Sequence, residues 1–367
     1  MVNDFDYSLY FHVPFCKRKC DYCHFYVIPD RSEYKGLYID ALRKEWKVRC
    51  PLLANGKPIS IYFGGGTPSL LNPSSIEEIL SWISPASSVE ITLEINPDPH
   101  CDLKAFKAVG INRISVGVQS FDDALLKHLS RQHAADDAQQ TVETLLQAGF
   151  TNISIDLMYD IPHQTLTSWE KTLALAAALP ITHLSLYNLT FEPHTVFYKK
   201  RKALIPYLAD EQMSLMMLEM AISFLKNCGF RRYEISAFAK QNFTSKHNIG
   251  YWQNRPFLGF GPSAFSYWKG TRFRNRSHLH LWAKALKSGE ESIDFSETLP
   301  PLEALQEQLA IGLRMLEGFP KQPFPPSLEL KIKKLIKQGL LEETPERLRL
   351  TSRGLLFHDT AAETLVN

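Results

Sequence analysis

The chain is poor in cysteine, with six among 367 residues, and half of these fall within eight residues of one another. That scarcity excludes a disulfide-stapled scaffold. No apolar run approaches the ~18–20 residues a membrane-spanning helix requires. The start, Met-Val-Asn-Asp-Phe-Asp, lacks the basic and apolar regions of a secretory signal. No fixed period recurs and no segment is of low complexity, which removes solenoids and linker arrays. No G-x-S-x-G occurs, so a serine nucleophile elbow has no support. Excess charge of one sign is missing too: 41 Lys and Arg against 39 Asp and Glu leave +2, which argues for no nucleic-acid partner of the chain as a whole. What remains is a globular protein of the reducing cytosol, longer than one ordinary domain.

The clustered cysteines are Cys16, Cys20 and Cys23, in Cys-Lys-Arg-Lys-Cys-Asp-Tyr-Cys. Three thiols cannot pair among themselves, and a four-ligand zinc site would show a second C-x2-C or histidine pair. An iron–sulfur cube is held by cysteine thiolates, usually four. Held by three, it keeps one iron open for a small ligand, so the spacing predicts a [4Fe–4S] cluster that binds and activates a molecule. Cys50, Cys101 and Cys228 lie far apart in apolar or helical contexts and are read as buried structural thiols.

Short apolar runs alternate with helical patterns through the first half. Strands are predicted at Tyr10–Val13, Ile59–Phe63, Val89–Ile95, Arg113–Val118, Ile153–Met158 and His183–Leu189, with crossover helices between them. Right-handed crossovers imply a parallel sheet. The expected fold is α/β, a partial six-stranded (β/α)6 barrel; a flat doubly wound sheet is the alternative. In such barrels chemistry sits at the C-terminal rim of the strands. That rim would carry the cysteine loop, the run Gly64-Gly65-Gly66-Thr67-Pro68, Glu94, Gln119, Asp156 and Asn188. The glycine run lets backbone approach a ligand and offers N–H donors to a carboxylate.

On these residues the chain resembles the radical S-adenosylmethionine superfamily, and more narrowly the group related to oxygen-independent coproporphyrinogen III oxidase. The match is carried by Tyr10-Phe11-His12-Val13-Pro14-Phe15-Cys16, the cysteine loop, Phe63-Gly64-Gly65-Gly66-Thr67-Pro68, Glu94-Ile95-Asn96-Pro97, Gly117-Val118-Gln119-Ser120-Phe121 and Ile155-Asp156-Leu157-Met158-Tyr159. The resemblance implies that the open iron chelates the amino and carboxylate groups of S-adenosylmethionine. It implies that Gly65, Gly66 and Thr67 hold the methionine end, with Glu94 and Asp156 near the ribose or sulfonium. Tyr10, Tyr22, Gln119 and Arg131 match further cofactor-contacting positions. One electron from a low-potential donor such as flavodoxin or ferredoxin would cleave the sulfonium to a 5′-deoxyadenosyl radical.

Two departures set the chain apart from the oxidase. The oxidase's further cysteine is replaced by Phe25, and only nine residues precede Tyr10. Both match the oxidase-like subgroup of heme chaperones, the HemW type, and speak against decarboxylation of coproporphyrinogen III. Its heme-associated motif is matched by His247-Asn248-Ile249-Gly250-Tyr251-Trp252, so His247, Asn248, Tyr251 and Trp252 are the implied heme residues. The resemblance also implies delivery of heme to an acceptor protein. Around the motif, residues 231–276 hold nine Lys and Arg, eleven aromatics and one acid, Glu234. Aromatic faces and arginine forks suit a flat disc bearing two carboxylates; they also suit single-stranded RNA, which makes RNA modification a further alternative. His278 and His280 are other candidate iron ligands. The expected division is residues 1–230 for the core, 231–300 for the basic-aromatic segment and 301–367 for a helical, winged-helix-like unit whose wing has mixed charge.

Overall fold

The computed structural model describes residues 5–367. Six strands, β1 (Phe5–Val13), β2 (Gly56–Gly65), β3 (Glu90–Ile95), β4 (Arg113–Gln119), β5 (Ile153–Tyr159) and β6 (His183–Asn188), lie side by side in chain order and run parallel. Five coincide with the predicted runs to within three residues at each end, and β1 begins five residues earlier than expected. Their outward side chains, among them Leu9, Phe11, Ile61, Phe63, Leu93, Ile114, Ile155 and Leu184, are buried beneath the crossover helices. Covered faces of this kind are why parallel strands read as apolar runs. The inward side chains are polar and small: Ser8, Ser60, Thr92, Ser115, Ser154 and Ser185, with Arg113 and His183.

The sheet curls. Loops and strand ends from β1 through β6 line one cavity of about 390 Å³, from Cys16 to Leu189. A flat sheet would hold its first and sixth strands more than 20 Å apart at ~4.8 Å per neighbour, so the doubly wound alternative is set aside.

The segment 231–300 is part of this sheet, not an independent unit. After β6 the chain adds β7 (Arg231–Arg232) and β8 (Ala237–Ala239) antiparallel at one edge. It then crosses to the other edge, where β9 (Phe257–Phe260) pairs parallel with β1 and β10 (Phe265–Trp268), β11 (Thr271–Asn275) and β12 (Ile293–Thr298) follow antiparallel. Some of the aromatics that suggested a ligand surface are core: Phe238, Phe260 and Trp268 are buried, Phe260 stacking on Phe11 with centroids 5.1 Å apart, while most of the others are half-buried and Phe265 is exposed. A buried ion pair fastens the crossing, Arg49 to Glu45 at 2.9 Å. Arg49 also donates to Gly259 O (2.7 Å) and Asn275 Oδ1 (2.6 Å). Glu45 accepts from the Gly261 amide (2.8 Å) and Asn275 Nδ2 (2.6 Å). Each charge is fully partnered, and removal of one member of such a pair typically costs ~3–5 kcal/mol.

Residues beyond the sheet build a separate core from Leu309, Leu313, Leu328, Leu335, Leu348 and Leu365. The helices Pro301–Gly312, Pro326–Lys337 and His358–Val366 pack there with three short antiparallel strands. Among the described residues no helix is long and apolar enough to cross a membrane. Cys50 and Cys101 are half-buried and Cys228 is exposed, so the structural-thiol reading fails for Cys228, which caps a surface helix after Asn227.

Candidate functional site at the barrel rim

β1 ends at Val13, and a two-residue parallel ladder between Phe15–Cys16 and Ile28–Pro29 closes the cysteine loop at its base. Cys16, Cys20 and Cys23 all line the rim cavity with Tyr22, Gly65, Gly66, Thr67, Glu94, Gln119, Arg131 and Asp156. A chain of hydrogen bonds sets the loop against the glycine turn. Cys16 Sγ lies 3.6 Å from Thr67 Oγ1. Thr67 Oγ1 accepts from Asn96 Nδ2 at 2.9 Å, Asn96 Oδ1 accepts from Arg131 Nη2 at 2.7 Å, and Arg131 Nη1 points at Cys20 Sγ, 3.5 Å away. Asn96 is the member that sequence reasoning left without a role. Its signal was there, in the Glu94-Ile95-Asn96-Pro97 run at a strand end.

The glycine turn is required sterically. Gly65 has φ +113°, and a Cβ on it would sit 2.6 Å from the His12 ring; one on Gly66 would meet Phe15 O at 2.6 Å and Cys16 Sγ at 3.1 Å. Only bare backbone fits between the turn and the cysteine loop. The turn's amides, however, are already used. Gly65 N donates to Glu94 Oε2 (3.1 Å), Gly66 N to Val13 O (2.9 Å) and Thr67 N to Phe15 O (2.7 Å). The expectation that they await a carboxylate is therefore corrected: what the turn can present is carbonyl oxygen, which suits the N–H donors of an amino group.

Burial governs the electrostatics. It pushes the Cys16 thiol up to about 11, against the opposing hydrogen bond from Thr67, and raises Cys23 as well. Thiolates here need a bound cation to hold them. Among the described residues no three His, Cys, Asp or Glu groups converge on a single ion. A cube takes one thiolate per iron, so three cysteines spread around one cavity fit it better than they fit one metal ion. Glu94 is lifted to about 7 by burial, with Asp156 adding repulsion and Tyr62 and Gly65 opposing; Asp156 is lifted to about 6, chiefly by burial. Two carboxylates poised to ionise suit a cationic ligand carrying hydroxyls.

Tyr10 stands one layer below the rim, where its hydroxyl donates to His12 Nδ1 (3.1 Å) while His12 Nε2 donates to Tyr26 O (2.9 Å). The residues of the His247 motif are elsewhere. His247 is 1% exposed inside the barrel. Its Nδ1 bonds Ser60 Oγ at 2.9 Å and its Nε2 bonds the Tyr251 hydroxyl at 2.9 Å. Burial keeps the ring neutral, with its pKa lowered to about 3. The imidazole thus has no lone pair free for an iron in this arrangement. The Asn248 amide is capped by Ser245 Oγ, and Trp252 lies under the Arg314 guanidinium of the C-terminal unit, 4.3 Å away. The segment's cations are also dispersed: Arg272 pairs with Glu297 and Glu307, Arg274 with Asp294, and Arg255 bonds Lys246 O. His278 and His280 are exposed.

A three-cysteine loop on the C-terminal rim of a partial barrel, facing a glycine turn and two tunable carboxylates, defines a radical S-adenosylmethionine protein. Residues 10–176 match the model of the Radical SAM superfamily, and residues 299–357 that of the HemN C-terminal domain. Heme chaperone HemW of Lactococcus lactis is 34% identical over 361 residues, 95% of this chain and 94% of that protein. The mitochondrial radical S-adenosyl methionine domain-containing protein 1 of Danio rerio is 33% identical, over 98% and 86% of the two chains. Coproporphyrinogen III oxidase of Escherichia coli shares the fold, with a TM-score of 0.86 at 24% identity, over 99% and 91%. The chain belongs to the HemW family.

Proposed function

We propose that this chain is a heme chaperone: it holds a [4Fe–4S] cluster on Cys16, Cys20 and Cys23, binds S-adenosylmethionine in the rim cavity, and passes heme to an acceptor protein in the cytosol. The observation that carries this reading is full-length similarity to curated heme chaperones, at 34% identity over 95% of the chain. Phe25, half exposed at the cavity wall where the oxidase has a further cysteine, supports it. The cluster and its bound ligand supply one-electron cleavage of a sulfonium. The protein's own part is placement. Glu94 and Asp156 meet the ribose or sulfonium, turn carbonyls accept from the amino N–H groups, Arg131 and Asn96 tie the cysteine loop to the turn, and Tyr22 and Gln119 line the wall.

An acidic low-potential electron donor is the proposed redox partner. Lys17, Arg18 and Lys19 on the cysteine loop are exposed, and so are Lys199 and Lys200 on the adjoining helix, which the Phe197 amide joins to Asp21 O at 3.0 Å. Lys17 pairs with Asp98 and Lys200 with Asp21; the positive charge left over, on Arg18, Lys19 and Lys199, would steer such a partner to the cluster. For heme, the exposed imidazoles of His278 and His280, with ring centroids 5.7 Å apart and Tyr34 edge-on to His280 at 5.5 Å, are the proposed iron contacts.

The test is an anaerobic heme titration of the cluster-reconstituted chain, followed by its Soret band. The same sample is then incubated with coproporphyrinogen III, S-adenosylmethionine and reductant. Saturable heme uptake without decarboxylated product is expected. Decarboxylation would establish an oxidase and overturn the chaperone reading.

A further inference from the structure

His247 and the helix that carries it (Lys246–Trp252) close the barrel below the rim cavity, as a floor one layer beneath the residues that line it. Two carboxylates of β3, four residues apart on one face of the strand, divide the work. Glu90 receives the backbone amides of Lys246 (3.1 Å) and His247 (3.0 Å), fixing the helix start. Glu94 receives the Gly65 amide, fixing the glycine turn. Between them stands Tyr62. Its ring stacks on His247 with centroids 4.7 Å apart, and its hydroxyl donates to Glu94 Oε1 at 2.7 Å. His247 is itself held in one tautomer. Ser60 gives its proton to Ser8 Oγ at 2.9 Å, so it accepts from His247 Nδ1, and Tyr251 donates to Nε2. Every polar atom of the ring is spent on holding the ring still.

We propose that His247 is a positioning residue for the S-adenosylmethionine cavity, acting through Tyr62 on Glu94 and the Gly65 turn, and that it is not a heme-iron ligand. The inference rests on the reading that the rim cavity takes S-adenosylmethionine. It accounts for the spacing of the motif: His247 and Tyr251, four apart on one helix, meet face to edge with centroids 4.9 Å apart. It also accounts for Trp252, which faces the C-terminal unit and never reaches the rim.

The experiment measures S-adenosylmethionine affinity by equilibrium dialysis across pH 6–9, and heme uptake by Soret titration, on the anaerobically reconstituted full chain. Tyr62→Phe deletes one oxygen and leaves the ring that His247 stacks on. It should weaken S-adenosylmethionine about tenfold, the weight of one hydrogen bond to a charged group. It should also move the pH midpoint of binding upward, because Glu94 loses a donor to its ionised form. The other titratable and charged groups that face Glu94, namely Asp156, Arg113, Tyr10, Tyr187 and Tyr251, are unchanged in that variant. His247→Ala should act in the same direction, and His247→Gln, able to bond Ser60 and Tyr251, should recover part of the affinity. The double variant with Tyr62→Phe should weaken less than the product of the two effects. All of them should take up heme within about twofold of the parent. Loss of the Soret complex in His247→Ala and His247→Gln, with S-adenosylmethionine affinity and pH midpoint at parental values, would overturn the inference. So would parental S-adenosylmethionine affinity in Tyr62→Phe, which settles the matter if His247→Ala does not fold. A parental chain that fails to bind S-adenosylmethionine would instead overturn the cavity reading beneath it.

Discussion

Glu94 gives the sharpest quantitative test of the rim cavity. Its carboxyl is lifted to about 7 because burial penalises the charge and Asp156 stands nearby, more than Tyr62 and the Gly65 amide can offset. The sign follows directly. Between the ordinary carboxylate value near 4.5 and 7 the folded chain keeps a proton that the unfolded chain has lost. Stability of the ligand-free chain therefore falls as pH rises through that window. A cationic ligand reverses the preference, since it binds the ionised form and releases the proton. With a midpoint at 7, about a tenth of Glu94 is ionised at pH 6 and about nine tenths at pH 8, so affinity should rise about tenfold. Asp156, held at about 6, adds about twofold over the same span by the same arithmetic. Equilibrium dialysis of S-adenosylmethionine at constant ionic strength reads this slope. Glu94→Gln should bind weakly at pH 8 and keep only the twofold dependence. A flat profile in the parent chain, or the full slope surviving in Glu94→Gln, would refute the reasoning.

Two further outcomes test the frame around the cavity. Asn96→Leu keeps the γ-branched outline but strips the link between Thr67 and Arg131, leaving both buried partners short of a bond at ~1–3 kcal/mol each; it should speed iron loss to a chelator severalfold without lowering the far-ultraviolet dichroism signal, and unaltered release would remove Asn96 from the site. Gly354→Ala would place a Cβ 1.9 Å from Leu340 O in the C-terminal unit, so it should lower the temperature at which that unit unfolds while cysteine-bound iron stays constant; simultaneous loss of iron would show that the two cores are not separable.

The strands were legible because their cues are local. An apolar run such as Ile153–Met158, bounded by Gly149 and a helical pattern, can be little else, and the polar residue at each strand's end marks the rim. The cysteine loop was legible for a different reason: C-x3-C-x2-C places three thiols on eight residues whatever the fold around them. The roles of Asn96 and Tyr62 were not, although Asn96 stood in a run that marked a strand end. Their importance lies in partners 29 and 32 residues away, Thr67 and Glu94 respectively, and nothing within either strand announces which neighbour a side chain will face. The stretch 231–276 misled in the same way. Its aromatics and arginines looked like a ligand surface because the acids that neutralise them, Asp294, Glu297 and Glu307, come later in the chain, and because β9 inserts beside a strand roughly 250 residues earlier.

The polar interior of the barrel explains why a histidine belongs in it. A complete eight-stranded barrel fills its centre with layers of branched apolar side chains. Six strands leave the curve open, and here the inner face of each carries hydroxyls, carboxylates, Arg113 and His183 instead. An unpaired buried polar atom costs ~1–3 kcal/mol, and most of these groups find a partner inside; Thr92 Oγ1 and Arg113 Nε do not. His183 bonds Ser154 Oγ (2.7 Å) and the Tyr233 hydroxyl (2.9 Å) in the same fashion as His247 bonds Ser60 and Tyr251. Two neutral imidazoles, each between a serine of the inner face and a tyrosine contributed by segment 231–300, therefore brace the floor from opposite sides. Burial lowers the pKa of both, so neither titrates while the floor stays closed. A site whose carboxylates must answer to the ligand's charge near neutral pH is thereby supported on groups that do not respond to pH in that range.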